Sequence, residues 1–396
     1  NGQAGFEYSF ADLLNNGGFG VVNLSAGQPN CSTNSVELFA APFPPDDVVV
    51  SWYDAPTGGN LIGEGLTLTS DLSSGNTTVY AEASFTSLAF SSTREPIEQP
   101  QVQTAFWDGN SWQNTAPDEN VNVTFQSALT TTGNLSACNL AINSGNVVVN
   151  PGHTLKVLNN VTVAGGSLTF ENNASLVQVN DLATNSGSII YKRNTTPMER
   201  FDFTYWSSPV SGQTLFNLSP ETLSDKYFYW DSPSQRWVTI FNGQAIMNPG
   251  TGYIIRSPQS YTVGNRQIYN GQFSGVPHNG RFEVNVSKPL PLSFALLGNP
   301  YPSAMNADTF ILQNQAVLQG SLYFWTHNTP ITNLQFTSND YAVYNLTGGT
   351  RAISGGEIPD GNIPAGQGFF VDLATSGTVV FNNAQRAIGG NDRFFE

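Results

Sequence analysis

Apolar and polar residues alternate over runs of four to seven positions along almost the whole chain, and Gly, Asn, Pro or Ser separates the runs. A period of two puts alternate side chains on opposite faces of an extended strand. Short runs of this kind between turn residues predict an all-β protein. Helical spacing appears in only two stretches, Phe10 to Asn15 and Asn306 to Gln319. In the second, Phe310, Ile311, Val317 and Leu318 share one face and Asn306 serves as the N-cap.

The 396 residues suffice for two to four domains at roughly 100–200 residues each. Hydrophobic residues make up 39% and aromatics 12%, enough for several cores, so global disorder is excluded. Charged residues are only 11%, with 29 acidic against 14 basic and a net charge of −15. So few cations exclude a nucleic-acid partner, whose binding rests on neutralising phosphates, and docking on anionic lipid. No apolar run approaches the roughly 20 residues of a transmembrane segment. Abundant Asn, Ser, Thr and Gly, with little Lys or Cys, fit an exported bacterial surface protein better than a cytosolic enzyme. Asn1-Gly2-Gln3-Ala4-Gly5 has neither the basic nor the apolar part of a signal peptide, so the chain reads as a mature or trimmed piece.

The pattern divides into segments. Residues 1–28 read as the tail of a preceding module, with Phe6, Tyr8 and Phe10 alternating and a strand at Val21-Val22-Asn23-Leu24. Residues 29–98 carry evenly spaced strands at Ser35–Leu38, Val48–Tyr53, Leu66–Thr69 and Thr77–Ala83, predicting a small Ig-like β-sandwich of Greek-key type around Trp52. Residues 99–104 are a polar linker. In residues 105–190, short apolar pairs recur every six to eight residues: Val121/Val123, Leu140/Ile142, Val147/Val149, Leu155/Val157, Val161/Val163, Leu168/Phe170 and Val177/Val179. Asn- and Gly-rich corners lie between them, which predicts a short β-solenoid (β-helix) of three to five rungs, with Cys138 at a turn and stacked Asn side chains. A meandering antiparallel sandwich has the same period, and periodicity does not decide the pairing.

Residues 191–390 contain an internal duplication, about 191–290 and 291–390, and predict two β-sandwich-like units packed together. Tyr205-Trp206-Ser207-Ser208-Pro209 answers Leu297 to Pro302, and Lys226 to Asp231 answers Ser321 to Thr326. Asn248 to Ile255 answers Pro364 to Val371, and Gln272 to Gly275 answers Val380 to Asn383.

Two stretches resemble known families. SVELFA…VVVSWYDAPTGGNLIGEGLTLTSDLSSGNTTVYAEA is similar to the Ig-like modules repeated in large secreted proteins of the Bacteroidetes. Those modules often pair an early Cys with one after the last strand. Ser84 to Ser92 has none, so the resemblance implies that Cys31 lacks that partner and the module relies on its apolar core. KRNTTPMERFDFTYWSSPVSGQTL, LLGNPYPSAMNADTF, LYFWTH, YAVYNLTGGT and IPAGQGFFV…VVFNNAQR resemble the C-terminal half of many secreted flavobacterial proteins. That resemblance implies export by the type IX secretion machinery, read through a sorting domain absent from this chain, which ends at Asn391-Asp392-Arg393-Phe394-Phe395-Glu396.

The chemistry-bearing residues are sparse. Cys31 and Cys138 fall in different predicted domains and read as small buried apolar side chains rather than a bonded pair, since a disulfide needs Cα atoms within roughly 7 Å. His153, His278 and His327 have no second ligand at metal spacing and read as solvated or core-edge side chains. Gly-x-Ser-x-Gly, P-loop and His-Glu-x-x-His motifs are absent. Gly250-x-Gly252 lacks the rest of a dinucleotide fingerprint. Asp202, Glu221, Asp225, Asp231 and Glu283 are glycosidase-type carboxylates only by lying in an aromatic-rich region. A lyase reading is weakened by a short solenoid with Lys156 and Lys192 only near its ends. Oxygen-rich loops at Pro45-Asp46-Asp47 and Pro117-Asp118-Glu119-Asn120 are the places where Ca2+ would bind, and they read better as solvated turns. No catalytic residue, metal or cofactor is assigned.

Most tryptophans belong in cores, but Trp112, between Ser111 and Gln113, and Trp237, after Arg236, are the exposed candidates for glycan contact. The expected protein is a non-enzymatic extracellular or outer-membrane-surface protein, structural or adhesin-like, whose partners are surface glycans or other surface proteins. The alternatives are a carbohydrate-binding module of a polysaccharide-degrading system and a non-catalytic fragment of a secreted hydrolase or lyase.

Overall fold

A computed structural model of the chain describes residues 18–43, 45, 48–85, 90–331 and 336–395. The described residues are all-β apart from two short helices and a few 3-10 turns. They form two compact units, Asn1–Gln103 and Thr104–Glu396.

The first unit is an Ig-like sandwich of eight strands: β1 (Gly20–Ala26), β2 (Ser35–Phe43), β3 (Val48–Tyr53), β4 (Leu61–Glu64), β5 (Thr67–Asp71), β6 (Thr78–Phe85), β7 (Phe90–Ser91) and β8 (Glu95–Glu98). One sheet runs β1-β2-β5 and the other β4-β3-β6, with β7 and β8 both on β6. Strict alternation on β2 and β6 turns Val36, Leu38, Val79 and Ala81 onto fully buried Trp52, whose Nε1 donates to Gly65 O at 2.8 Å. The Asp54 carboxylate closes the following hairpin by accepting from the Asn60 backbone N (2.7 Å) and side-chain Nδ2 (2.8 Å). That closure explains the Trp-Tyr-Asp…Gly-Gly-Asn pattern. The strand at Val21 is not the tail of another module: β1 pairs with β2 from Gly20 to Ala26 and completes this sandwich. Phe6, Tyr8, Phe10 and the helical stretch Phe10 to Asn15 lie outside the described residues. Cys31 and Cys138 are buried, but neither is a free thiol, which corrects the expectation that Cys31 lacks a partner.

The second unit opens with a parallel β-solenoid. Its strands are β9 (Thr104–Trp107), β10 (Trp112–Gln113), β11 (Asn122–Phe125), β12 (Leu129–Thr130), β13 (Leu135–Ala137), β14 (Leu140–Ile142), β15 (Asn146–Val149), β16 (Thr154–Val157), β17 (Val161–Val163), β18 (Ser167–Phe170) and β19 (Ser175–Gln178). Leu140 pairs with Val161, Val147 with Leu168, and Leu155 with Leu176, all in parallel. Parallel pairing excludes the antiparallel meander. Asn side chains stack between coils: Asn180 Nδ2 donates to Asn159 Oδ1 at 2.9 Å, 21 residues away. One corner is glycine in successive coils because nothing else fits. A Cβ on Gly166, whose φ is +71°, would lie 2.0 Å from Gly145 O. The last coil departs from the expected register. Leu176, not Val177, faces the solenoid core, and Val179 is exposed. β19 is buried on both faces because the chain returns over it, with Leu176 N donating to Pro302 O at 2.7 Å.

The remainder is the duplication. The first copy comprises β20 (Ile189–Asn194), β21 (Phe203–Trp206), α1 (Leu215–Leu218), β22 (Tyr227–Asp231), β23 (Arg236–Thr239), β24 (Tyr253–Arg256) and β25 (Asn270–Gly275). The second comprises β26 (Phe282–Val286), β27 (Phe294–Gly298), β28 (Met305–Asn306), α2 (Ala307–Gln313), β29 (Leu318–Trp325), β30 (Tyr341–Asn345), β31 (Gly348–Thr350), β32 (Asn362–Ile363), β33 (Gly368–Leu373) and β34 (Gly377–Phe381). The sheet orders match: β21-β24-β22-β23 and β27-β33-β29-β30, the second extended by β31. Opening and closing strands pair antiparallel in both copies, β20 with β25 and β26 with β34.

The two copies meet reciprocally. Ser207 N donates to Gly366 O (2.8 Å), and the equivalent Gly298 N donates to Gly250 O (3.0 Å). Bridges Trp206–Gln367 and Thr251–Leu297 are likewise exchanged. Exchanged contacts of this kind are the mark of a two-fold relation. They set the match at Trp206 with Leu297 and Pro209 with Pro300. The helix predicted from Asn306 is α2, with Asn306 Oδ1 accepting from Thr309 N at 2.8 Å. It stops at Asn314, whose side chain donates to Val380 O and accepts from Val380 N, so Leu318 belongs to β29 instead.

Candidate functional site

Alternation along the duplicated strands decides which side chains meet between the two sheets. On β22 and β24, Tyr227, Tyr253 and Ile255 join the core shared with the solenoid. On β29 and β33, Leu322, Phe324, Phe369 and Val371 join a second core with α2. The opposite faces of both sheets are aromatic as well, and they face each other. Phe228 and Trp230 answer Tyr323 and Trp325, Ile254 answers Phe370, and Trp237 on β23 answers Tyr341 on β30.

Between these faces lies a cavity of about 860 Å³, within the roughly 300–1,000 Å³ range of small-molecule sites. Its walls are packed ring on ring. Tyr205 stacks on Trp325 with centroids 6.0 Å apart, Trp230 meets Trp237 edge-on at 5.0 Å, and Phe370 meets Trp230 at 5.3 Å. Three of their polar atoms are paired within the wall, while the buried Trp325 Nε1 has no hydrogen-bond partner among the described residues. Tyr205 OH and Tyr341 OH are 2.6 Å apart, and Trp230 Nε1 donates to Phe294 O at 2.9 Å. Burial raises the pKa of both tyrosines, Tyr341 up to about 12, so both stay protonated. The rim is formed by Thr337, Ser338, Thr350, Arg351 and Ile353.

Behind Trp325 sits a buried polar cluster. His327, held at φ +42°, places Nε2 3.0 Å from Asp202 Oδ1, and its Nδ1 accepts from Phe203 N at 3.2 Å. The proton therefore sits on Nε2. Arg266 lies 3.5 Å from the other Asp202 oxygen and donates to His327 O at 3.1 Å. Burial pushes Asp202 up to about 6 and His327 down to about 4, each toward its neutral form.

Residues 99–396 match a family model described as a domain of unknown function (DUF8693), and residues 21–100 match one described as an Ig-like domain, CHU_C associated. The chain belongs to the first family. The Ig-like type is typical of Bacteroidetes surface proteins. No curated protein matches the chain.

Within the DUF8693 domain, the two tryptophans singled out for glycan contact fall in different places. Trp237 is 38% exposed and lines the groove. Trp112 lies on β10 at the start of the solenoid, packed 5.4 Å from both Trp107 and Phe125. The carboxylates do not converge. Asp202 is in the buried cluster, and Glu221 accepts from Ser260 Oγ. Asp225 pairs with Lys226, Asp231 caps its own turn at Ser234, and Glu283 pairs with Arg281. Lys156 and Lys192 are paired with Glu119 and Glu171. His153 bonds Thr131 Oγ1, and His278 is buried against Pro300 O. No group of three metal-ligating side chains occurs among the described residues. Asp118 Oδ1 accepts from Asn120 N, and Asp46 and Asp47 lie outside the described residues. No described helix is long and apolar enough to cross a membrane. Sequence reasoning missed Tyr205, Tyr341, Phe370 and Arg351 as groove residues. The signal for Tyr205 and Phe370 was the duplicated alternation itself, which makes both faces of the aromatic strands apolar.

Proposed function

We propose that this chain is a non-enzymatic extracellular protein, displayed on the cell surface or released, that acts as an adhesin-like binding module. One observation carries the reading: a duplicated β scaffold holds an open aromatic groove whose lining, among the described residues, contains no carboxylate, histidine or cysteine. The rim hydroxyls of Thr337, Ser338 and Thr350 have no general base among the described lining residues to activate them, while packed rings present area for a ligand to bury. The Ig-like unit serves as a spacer. Export follows the type IX route, a reading supported by the resemblance of residues 191–390 to secreted flavobacterial proteins. The test is surface labelling of intact cells carrying the full-length gene product, with and without type IX export. Labelling lost only in the export-deficient strain supports the reading, and retention inside both strains contradicts it.

A second reading, a carbohydrate-binding module, is favoured by the exposed Trp237 ring. A glycan array with the wild type and Trp237→Ala tests it. Binding by the wild type that disappears in the variant supports sugar stacking, and absence of wild-type binding removes it.

A further inference from the structure

We infer that the groove takes an amphipathic organic anion: a hydrophobic alkyl or aryl body lying between the two aromatic sheets, with a carboxylate held at the rim by Arg351. The inference deepens the binding-module reading and rests on it.

Three observations converge. First, the chemistry of the walls is one-sided. The hydroxyls of Tyr205 and Tyr341 bond each other, and the Trp230 indole N–H is committed to Phe294 O. A ligand bearing many hydroxyls would lose its water inside these walls and find few partners, at a penalty of about 1–3 kcal/mol for each unmet group. An apolar body has no such penalty. Second, the charge at the groove runs against the charge of the chain. The chain carries 29 acidic and 14 basic residues, yet among the described residues the lining contains no acid and one base, Arg351. Third, that base is uncommitted. Arg351 is exposed and makes no ion pair or hydrogen bond with the described residues. By contrast, Arg94, Arg266, Arg281 and Arg393 each have a carboxylate partner. A guanidinium beside Thr350 at the mouth of an apolar cavity is a fork for one carboxylate.

The test uses the full chain and three ligands that share a ten-carbon tail, decanoate, decanol and decyltrimethylammonium, the two ions below their micelle concentrations and decanol below its solubility. Calorimetry and tryptophan fluorescence read the affinity. Decanoate is expected to bind one to one, roughly tenfold tighter than decanol, about 1.4 kcal/mol, with the cation weakest. Arg351→Gln, a change at an exposed position, should bring decanoate down to the affinity of decanol and leave decanol unchanged. Trp237→Ala should weaken both. Equal affinity for decanoate and decanol in the wild type, or a decanoate preference that survives Arg351→Gln, overturns the role of Arg351. Failure of all three ligands overturns the whole inference. A cello- or xylo-oligosaccharide arm then separates the two readings. Saccharide binding sensitive to Trp237→Ala would keep the groove as a binding site while removing the amphipathic anion.

Discussion

At the scale of single residues, burial of ionisable groups sets how this protein should respond to acid. His278 is buried against Pro300 O and its pKa is pushed down to about 4. An unfolded histidine titrates near 6.5. Between these values the unfolded chain binds the proton and the folded chain does not, so stability falls as pH falls through that window. By pH 5 the loss is about 2 kcal/mol. His327, also pushed down to about 4, acts in the same direction. Asp202, pushed up to about 6, acts in the opposite direction and largely offsets it, because there the folded state holds the extra proton. Urea denaturation at pH 7 and pH 5 should show the wild type weakening, and His278→Gln should flatten the slope. An unchanged slope in that variant would assign the acid response to other groups.

At the scale of elements, two close approaches hold the duplicated sheets in register. A Cβ on Gly252 would lie 2.5 Å from Leu297 O, and its counterpart Gly368 would crowd the Tyr205–Trp206 backbone at 3.1–3.2 Å. Gly252→Ala should therefore destabilise by on the order of 2–3 kcal/mol, and Gly368→Ala by somewhat less, as overpacking does. Gly133→Ala, with open space around it, should be neutral or slightly stabilising. Thermal melts of the three variants check the ordering. The C-terminal residues make a similar point. Phe394 packs 5.0 Å from Trp206, Phe395 packs 5.0 Å from Phe324, and Phe395 N donates to Gln367 Oε1 at 2.7 Å. Phe394→Ala and Phe395→Ala should each lower stability by about 3 kcal/mol, read as a lower urea midpoint with an unchanged slope.

Those terminal phenylalanines show where sequence reasoning stopped. They follow a Gly-Gly-Asn-Asp turn and alternate with nothing, so no period announces that they plug two separate cores. Strand existence was legible because alternation is local. The partner of each strand was not, since parallel coils and antiparallel meanders share one period. The slip from Val177 to Leu176 arose because β19 is covered on both sides, which erases the polar face that would have marked its register.

At the scale of the whole molecule, the duplication made the groove legible in principle and hidden in practice. The repeated motifs Tyr227-Phe228-Tyr229-Trp230 and Leu322-Tyr323-Phe324-Trp325 were visible as a pair. What they do together depends on a two-fold packing that no local pattern encodes. Trp237 was recognisable from its polar neighbour. Its counterpart Tyr341 was not, because the likeness between β23 and β30 lies in position and not in residue type. If the two walls contribute alike, Trp237→Ala and Tyr341→Ala should weaken any groove ligand by similar factors. Titration of both variants with the same ligand checks this.

The most direct measurement is fluorine NMR of the full chain labelled with 5-fluorotryptophan, titrated with decanoate and with oligosaccharides. The seven tryptophans divide cleanly: Trp230, Trp237 and Trp325 line the groove, while Trp52, Trp107, Trp112 and Trp206 do not. Selective movement of the three groove signals on ligand addition is the predicted result. A ligand that binds while moving only Trp107 and Trp112, or the absence of any groove response to either ligand class, would contradict the claim that this chain binds through its aromatic groove.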